Sequence, residues 1–152
     1  MKKITPFLWF DGKAEEATNF YVGIFPNSRV LSVNRAGKDG PVFSTTFNLD
    51  GQDFFALNGG PMFSFTPAIS FFISCETQAE VDELWGKLTA GGSEEPCGWL
   101  KDRFGMSWQV VPSLLPRLIG DKDPKKSQAA MAAMMKMKKI DMAALQRAYD
   151  EA

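Results

Sequence analysis

The sequence contains no histidine among its 152 residues. Histidine is the commonest protein ligand for zinc, nickel and iron, and it is also the commonest general base near neutral pH. Its absence excludes histidine-dependent triads and histidine-based metal centres. Cysteine is scarce as well: Cys75 and Cys97 lack the paired spacing of a zinc site and the density of a disulfide framework. We expect two free thiols.

The sequence also lacks a strong net charge and a long apolar run. Seventeen basic residues against 18 acidic ones give a net charge of −1. Such a chain has no overall field to attract phosphate backbones or anionic lipid, so we expect no nucleic-acid partner. No apolar stretch approaches the roughly 20 residues that span a bilayer, and Met1–Ile4 lead into strand-like sequence instead of a signal peptide. We therefore expect no membrane partner and a cytoplasmic location.

The first half of the chain has the pattern of one strand, one helix and three strands. An aromatic and β-branched segment, ITPFLWF, predicts the first strand, and acidic residues followed by apolar residues at helical spacing predict a helix before Pro26. Three strands follow, with a hairpin signal at Asp50–Gly51 between the last two. These strands are predicted at residues 29–35, 42–49 and 52–58.

The same order of elements recurs in the second half. Residues 69–74 read as an apolar strand, Thr77 and Glu80 form the ends of a capping box, and Gly91–Gly92 end the helix. Short extended pieces follow, with a turn at residues 102–105 and a last strand over residues 106–111. Because Phe7 and Phe71 lie about 64 positions apart in equivalent strands, the order indicates a duplication.

Beyond Pro112 the sequence is helical and rich in methionine. Asp121–Pro124 and Asp141 are typical of helix starts, and several of the eight methionines cluster between them. Methionine adapts to irregular apolar surfaces, so this segment suits a partner helix. The favoured interpretation is that it covers apolar surface of its own domain or of a dimer partner.

Several motifs together resemble one known family. The stretches ITPFLWFDGKAEEATNFY, LNGGP and WLKDRFGMSWQVVP, with the final MKMKKID run, are similar to the PhnB-like branch of the vicinal oxygen chelate superfamily. That superfamily also contains glyoxalase I, bleomycin-resistance proteins and extradiol dioxygenases. Members of this branch often carry the label 3-demethylubiquinone-9 3-methyltransferase-like.

The resemblance implies an α+β fold of two βαβββ modules whose curved mixed sheets form a cleft. It places the modules at about residues 1–60 and 66–112, as one domain over 1–112, followed by a helical extension over 113–152. It also implies a homodimer. In metal-dependent relatives the first and last strand of each module supply the metal ligands, and the equivalent positions here are Thr5, Ala56, Ile69 and Gln109.

These four positions do not suit a divalent cation. Alanine and isoleucine have no donor atom, and Gln109 is the one plausible neutral ligand. We therefore expect no metal and assign no cofactor.

The alternation of side chains along strands predicts an aromatic cleft with a few polar groups. Such a surface suits an apolar or planar small ligand, although the same rings could simply fill the cleft as core. The predicted ligand-binding residues are Thr5, Phe7, Trp9, Phe54, Asn58, Phe71, Trp99, Ser107 and Gln109. Trp108 is expected on the opposite side of its strand, in the core, and Asp102 is expected to bond the backbone of its own turn.

The first functional hypothesis is a metal-free small-molecule-binding protein with no assignable reaction. The alternative is a metal-independent enzyme that acts on a small aromatic or quinone-like substrate, with Cys97, Asp102 or Gln109 as its reactive groups. No nucleophile and base pair is evident for that chemistry. Methyl transfer, suggested by the family label, lacks a recognisable cofactor motif. An interaction role through residues 121–152 is the remaining possibility.

Overall fold

The computed structural model describes residues 2–152, which divide into two units, the first ending at Ser64 and the second beginning at Phe65. The first unit contains β1 (Phe7–Phe10), α1 (Ala14–Ile24), β2 (Arg29–Arg35), β3 (Val42–Leu49) and β4 (Gln52–Asn58). Its sheet has the order β1-β4-β3-β2, with β1 parallel to β4 and the other pairs antiparallel. This is the expected βαβββ module.

The second unit repeats that order and adds three helices. It contains β5 (Phe71–Cys75), α2 (Gln78–Thr89), β6 (Ser93–Glu94), a 3-10 turn (Pro96–Gly98), β7 (Trp99–Lys101) and β8 (Ser107–Pro112). The sheet order is β5-β8-β7-β6, again with one parallel pair, β5 and β8. The helices α3 (Leu114–Ile119), α4 (Pro124–Met134) and α5 (Met142–Asp150) follow. The predicted α+β class, with two modules and C-terminal helices, is confirmed.

Local signals in the sequence form the turns and caps that they predict. Asp50 and Gly51 both have positive φ, 47° and 89°, as a type I′ hairpin between β3 and β4 requires. The Thr77 side chain accepts the Glu80 N–H at 3.2 Å and caps α2. The Glu80 carboxylate in turn accepts the Glu76 N–H at 3.1 Å.

The core of the first unit lies between its sheet and α1. Tyr21 of α1 stacks on Phe47 of β3, and Phe47 stacks on Phe54 of β4 with ring centroids 5.2 Å apart. All three rings are buried, as is Ala56. One face of the sheet is therefore covered by the helix, and the other face is left for the candidate site.

In the second unit the corresponding core lies between its sheet and α2. Val81, Leu84, Trp85 and Leu88 form the buried stripe of the helix, as their spacing predicts. Trp108 of β8 is buried, which confirms its expected place in the core. None of the helices formed by residues 2–152 has both the length and the apolarity needed to cross a bilayer.

Candidate functional site

The open face of the first sheet, opposite α1, carries a row of aromatic side chains. Phe7 lies beside Phe55 and Trp9 beside Leu57 in the parallel pairing of β1 with β4, so these four side chains share that face. The Phe7 and Phe55 rings lie 5.8 Å apart, and Phe7 is 61% exposed. A planar apolar molecule could stack on such a surface.

Trp9 is fixed on this face by the loop that follows β4. Its indole N–H donates to the Gly60 carbonyl at 2.9 Å, and the Phe63 ring meets the indole edge-on at 5.0 Å. At Gly59 a Cβ atom would come within 2.4 Å of the indole, so the close approach of this loop requires glycine. The Gly59–Gly60 pair therefore serves to position Trp9.

Polar side chains continue the open face across β3 and β2. Thr46 lies beside Phe55 and Ser44 beside Leu57, and Asn34 of β2 donates to the Ser44 hydroxyl at 3.1 Å. This face is thus aromatic at one edge and amide- and hydroxyl-bearing at the other. Thr5 precedes β1 and is partly exposed.

The prediction that Phe54 and Asn58 share a face with Phe7 and Trp9 is wrong. Residue 58 lies beside Phe10, and Phe54 belongs to the core under α1. The Asn58 amide oxygen accepts the Ala14 N–H at 2.8 Å, and its nitrogen donates to the Val42 carbonyl at 3.0 Å. Asn58 therefore caps the first turn of α1 and ties it to β3.

The open face of the second sheet is built around Gln109. In the register of β8 with its two neighbours, Gln109 lies between Phe72 of β5 and Trp99 of β7. Adjacent strands lie about 4.8 Å apart, so the three side chains stand abreast on one face. Phe72 is 58% exposed, whereas Gln109 and Trp99 are partly buried.

The Gln109 amide is oriented by one hydrogen bond. Its nitrogen donates to the Ser70 hydroxyl at 3.0 Å. Its oxygen forms no hydrogen bond within residues 2–152. The side chain itself lies between two aromatic residues on the neighbouring strands. That oxygen can accept a hydrogen bond from a ligand hydroxyl or N–H.

Ser107 lies two residues before Gln109 on the same strand and is fully buried. Its hydroxyl has no hydrogen-bond partner in the described part of the chain. Phe71, in contrast, was predicted on the Gln109 face and lies on the opposite one. It pairs with Trp108, and the two rings meet edge to face at 5.1 Å. Phe71 is therefore partly buried on the face that carries Trp108, and its assignment to the open face is wrong.

Sequence reasoning missed Phe55, Leu57 and Phe72 because it placed β4 and β5 one residue out of phase. The doublets Phe54–Phe55 and Phe71–Phe72 put one ring on each face, so apolar character alone cannot decide the phase. Polar neighbours could have decided it. Asp53 of β4 is not buried, and Ser74 of β5 is exposed. Residues an even number of positions from Asp53 or Ser74 on the same strand therefore lie on the open face of their sheet.

The donor set does not fit the metal site of the superfamily. Ala56 is buried under α1, and the open-face residues beside it, Phe55 and Leu57, have no donor atom either. Ile69 is exposed and apolar, so of the four equivalent positions only the Thr5 hydroxyl and the Gln109 amide have donor atoms. No three histidine, cysteine, aspartate or glutamate side chains in residues 2–152 lie close enough together to hold a metal ion. A divalent cation needs several oxygen, nitrogen or sulfur donors.

The two cysteines are free thiols, as expected, in different surroundings. Cys75 is fully buried, and burial together with the nearby Glu80 and Glu76 carboxylates raises its pKa to about 12. A thiol that stays protonated at neutral pH is a poor nucleophile. Cys97 is partly exposed in the turn before Trp99.

A shallow depression of about 480 Å³ lies at the carboxyl ends of β1 and β4 in the first unit. Its lining includes Asp11, Glu15 and Arg35. Arg35 forms an ion pair with Glu15 at 3.2 Å, with both side chains more than a third exposed. An exposed pair of this kind contributes little free energy, and its charges satisfy each other.

Comparisons with known proteins identify relatives over most of the chain. The family model for 3-demethylubiquinone-9 3-methyltransferase matches residues 2–111. None of the curated proteins matches the sequence. Among solved structures, the chain is similar to a PhnB protein from Bacillus cereus that is named as a candidate 3-demethylubiquinone-9 3-methyltransferase. The two are 39% identical with a TM-score of 0.67, over 74% of this chain and 100% of that one.

More distant structures share the fold. Protein PA1353 from Pseudomonas aeruginosa is 20% identical, with a TM-score of 0.60 over 74% of this chain and 98% of that one. The fosfomycin resistance protein FosX from Listeria monocytogenes, solved with Mn(II) and sulfate, is 18% identical. Its TM-score is 0.54, over 71% of this chain and 90% of that one.

Proposed function

The chain belongs to the 3-demethylubiquinone-9 3-methyltransferase family, a PhnB-like branch of the vicinal oxygen chelate superfamily, and we propose that it binds a small planar, largely apolar molecule without a metal ion. The proposed binding surface is the open face of the second sheet around Gln109. Phe72 and Trp99 provide apolar contact area on either side of this amide. Trp9 and Phe7 give the first sheet a face of similar chemistry.

The Gln109 amide is the observation that carries the proposal. The Ser70 hydroxyl accepts one of the two N–H groups of this amide, which orients the amide and leaves its oxygen as an acceptor and its second N–H as a donor between two aromatic side chains. Ligand sites commonly combine such apolar walls with a few polar groups that orient the ligand. The expected ligand therefore has an aromatic ring and one hydroxyl or N–H group.

Metal independence follows from the donor set. One neutral amide and the Thr5 hydroxyl cannot replace the hydration shell of a divalent cation, and the other two equivalent positions, Ala56 and Ile69, carry apolar side chains. We expect less than about 0.1 equivalent of zinc, nickel, iron or manganese in purified protein, and no change of its melting temperature after dialysis against EDTA. A stoichiometric metal that disappears in Gln109→Ala would contradict the proposal.

Ligand binding is tested by calorimetric titration with 2-naphthol as a planar probe that carries one hydroxyl group. We expect Gln109→Ala to weaken binding about tenfold, the value of one lost hydrogen bond in an apolar site. Gln146→Ala, which changes a glutamine on α5, is the matched control. The probe 2-methoxynaphthalene lacks the hydroxyl donor. It should bind the wild type more weakly than 2-naphthol does, and the two probes should bind Gln109→Ala equally well. Equal affinity of both probes for the wild type would show that Gln109 does not orient the ligand.

The family name also suggests methyl transfer, and a metal-independent enzyme is the alternative to a binding protein. Each sheet here is four-stranded with a single parallel pair, whereas the doubly wound fold that commonly binds nucleotide cofactors has a mostly parallel sheet. Calorimetric titration with S-adenosylmethionine tests methyl transfer, and binding at micromolar concentration would favour it.

We also propose a homodimer in the cytoplasm, and light scattering that gives a monomer mass would exclude the dimer.

A further inference from the structure

The C-terminal extension, residues 113–152, lies outside the part of the chain that the family model matches. Its helices share a buried apolar cluster with the end of β8, in which Val111, Ile140 and Leu145 are at most 5% exposed. Met137 and Met142 pack against the same cluster from either end of the segment between α4 and α5. We call residues 137–142, which run from this segment into the first residue of α5, the strap.

The strap is hydrogen-bonded to the 3-10 turn before β7. The Cys97 N–H donates to the Met137 carbonyl, and the Gly98 N–H donates to the Lys138 carbonyl, both at 2.8 Å. These are two consecutive backbone donors of one turn and two consecutive acceptors of the strap. The turn therefore depends on residues about 40 positions further along the chain.

The conformation of the turn explains why it needs this support. Cys97 has φ 64° and ψ 31°, and Gly98 has φ 83°, so two successive residues are left-handed. A non-glycine residue in this region persists only where its surroundings hold it. At Gly98 a Cβ atom would lie 3.1 Å from the Val110 carbonyl oxygen and 3.2 Å from Cγ1 of Ile140. The strap thus packs directly on the backbone of the turn.

Helix α2 holds the strap through the side chain of Gln78. The Gln78 amide nitrogen donates to the Ile140 carbonyl at 3.0 Å, and its oxygen accepts the Met142 N–H at 2.8 Å. Next to it, Lys139 forms an ion pair with Asp82 at 2.9 Å, and Gln78 also donates to Asp82 at 2.9 Å. One side chain therefore bridges both backbone groups that flank Asp141.

We infer that the strap and Gln78 are a positioning device for Trp99, which makes the C-terminal extension a part of the ligand site. Trp99 follows Gly98 directly and starts the strand that places it beside Gln109. If the turn opens, β7 loses its fixed start and Trp99 loses its fixed place. The link to ligand binding rests on the proposed role of the Gln109 face, whereas the link from Gln78 to the turn does not.

The test compares Gln78→Ala with Gln146→Ala in the full chain. Gln146 is the matched control, because its side chain also donates to an aspartate four residues on, Asp150 at 3.0 Å, whereas it forms no side-chain hydrogen bond to the strap within residues 2–152. Both variants should keep the far-UV circular dichroism of the wild type. Amide hydrogen exchange at Cys97 and Gly98 should become at least about fivefold faster in Gln78→Ala and stay unchanged in Gln146→Ala.

The thiol of Cys97 gives an independent readout of the turn. Cys75 is buried and unreactive, so the reaction of the native protein with 5,5′-dithiobis(2-nitrobenzoate) reports on Cys97. We expect a severalfold higher rate in Gln78→Ala than in the wild type or in Gln146→Ala. The variant Asp82→Asn weakens the Lys139 ion pair but keeps Gln78. Its thiol reaction rate should lie between the rates of the wild type and of Gln78→Ala. An unchanged exchange rate and thiol reactivity in folded Gln78→Ala would overturn the inference.

The affinity for 2-naphthol then separates the two proposals. A fivefold or larger loss in Gln78→Ala, together with faster exchange of the turn, supports the strap as a positioning device for the ligand site. Faster exchange with unchanged affinity overturns that role. If the wild type does not bind the probe, the proposed function fails, and the exchange and thiol measurements still decide whether the strap holds the turn.

Discussion

The Asp102 carboxylate accepts the indole N–H of Trp108 at 2.9 Å in the interior of the second unit. Its other oxygen accepts the backbone N–H groups of Phe104 and Met106 at 2.8 and 3.1 Å. Asp102 is 3% exposed. The carboxylate therefore organises the turn before β8 and anchors Trp108, which agrees with the structural role that the sequence predicts for it.

Replacement of Asp102 by alanine should lower the unfolding free energy by about 3 kcal/mol or more, because three buried or part-buried N–H groups lose their acceptor. Asp102→Asn retains one acceptor oxygen for the turn but presents N–H groups to the indole, and it should lose about half as much. Guanidinium unfolding measures both. Asp39→Ala, at an exposed turn of the first unit, is the control and should change stability by less than about 0.5 kcal/mol. A loss of that small size in Asp102→Ala would contradict the assigned role.

Two buried threonines in the first unit should be energetically coupled. The Thr18 hydroxyl donates to the Ala14 carbonyl at 2.7 Å, so the 2.6 Å contact between the two hydroxyl oxygens has Thr45 as its donor. Thr18→Val leaves the buried Thr45 hydroxyl without an acceptor and should lower the unfolding free energy by about 2 kcal/mol. Thr45→Val leaves Thr18 bonded to Ala14 and should lower it by about 1 kcal/mol. Thr46→Val, on the open face, is the control.

The double variant Thr18→Val, Thr45→Val removes both hydroxyls, so it should cost less than the sum of the single variants by about 1 kcal/mol. The cycle is measured by chemical unfolding. Strict additivity would mean that the contact between the two hydroxyls contributes nothing to stability.

Local signals predict the elements of this fold well, but they do not fix the faces of its strands. The hairpin at Asp50–Gly51 and the cap at Thr77 depend on one or two residues and their own backbone, so sequence alone is sufficient there. The phase of β4 is different: Phe54 and Phe55 are equally apolar, so the rings themselves do not show which one is buried, and the neighbouring Asp53 is the one weak local sign of the phase. A one-residue error then moves every side chain of the strand to the other face.

The strap was beyond sequence reasoning for a related reason. Nothing in the residues around Cys97 indicates that this turn is left-handed at a cysteine, and nothing around Met137 indicates a backbone acceptor for it. The contact joins segments about 40 positions apart through main-chain atoms, which leave no mark on side-chain composition.

Ser107 offers a test of a buried hydroxyl that lacks a hydrogen-bond partner within the described residues. Such an arrangement costs about 1–3 kcal/mol. Ser107→Ala should therefore leave stability unchanged or raise it by about 1 kcal/mol, whereas Ser74→Ala, an exposed serine of β5, should have no effect. A loss of stability above about 1 kcal/mol would indicate a bonded hydroxyl.

Stability should fall in alkaline solution because of Cys75. Burial, with the neighbouring Glu80 and Glu76 carboxylates, raises its pKa from 9.0 to about 12 in the folded chain. Above pH 9 the unfolded chain releases this proton and the folded chain retains it, so the folded state binds more protons and its stability decreases as pH rises. The contribution is fully present below pH 9 and is lost progressively up to about pH 12.

The difference between the wild type and Cys75→Ala isolates this effect from other titrating groups. Between about pH 9 and 11 the wild type should lose about 1.4 kcal/mol per pH unit more than the variant, measured by guanidinium unfolding with a reductant present. Cys97→Ala is the control: it removes the partly exposed thiol and should keep the wild-type slope. Parallel pH profiles for the wild type and Cys75→Ala would mean that the buried thiol ionises without unfolding, and the packing of β5 against α2 would then have to admit water to it.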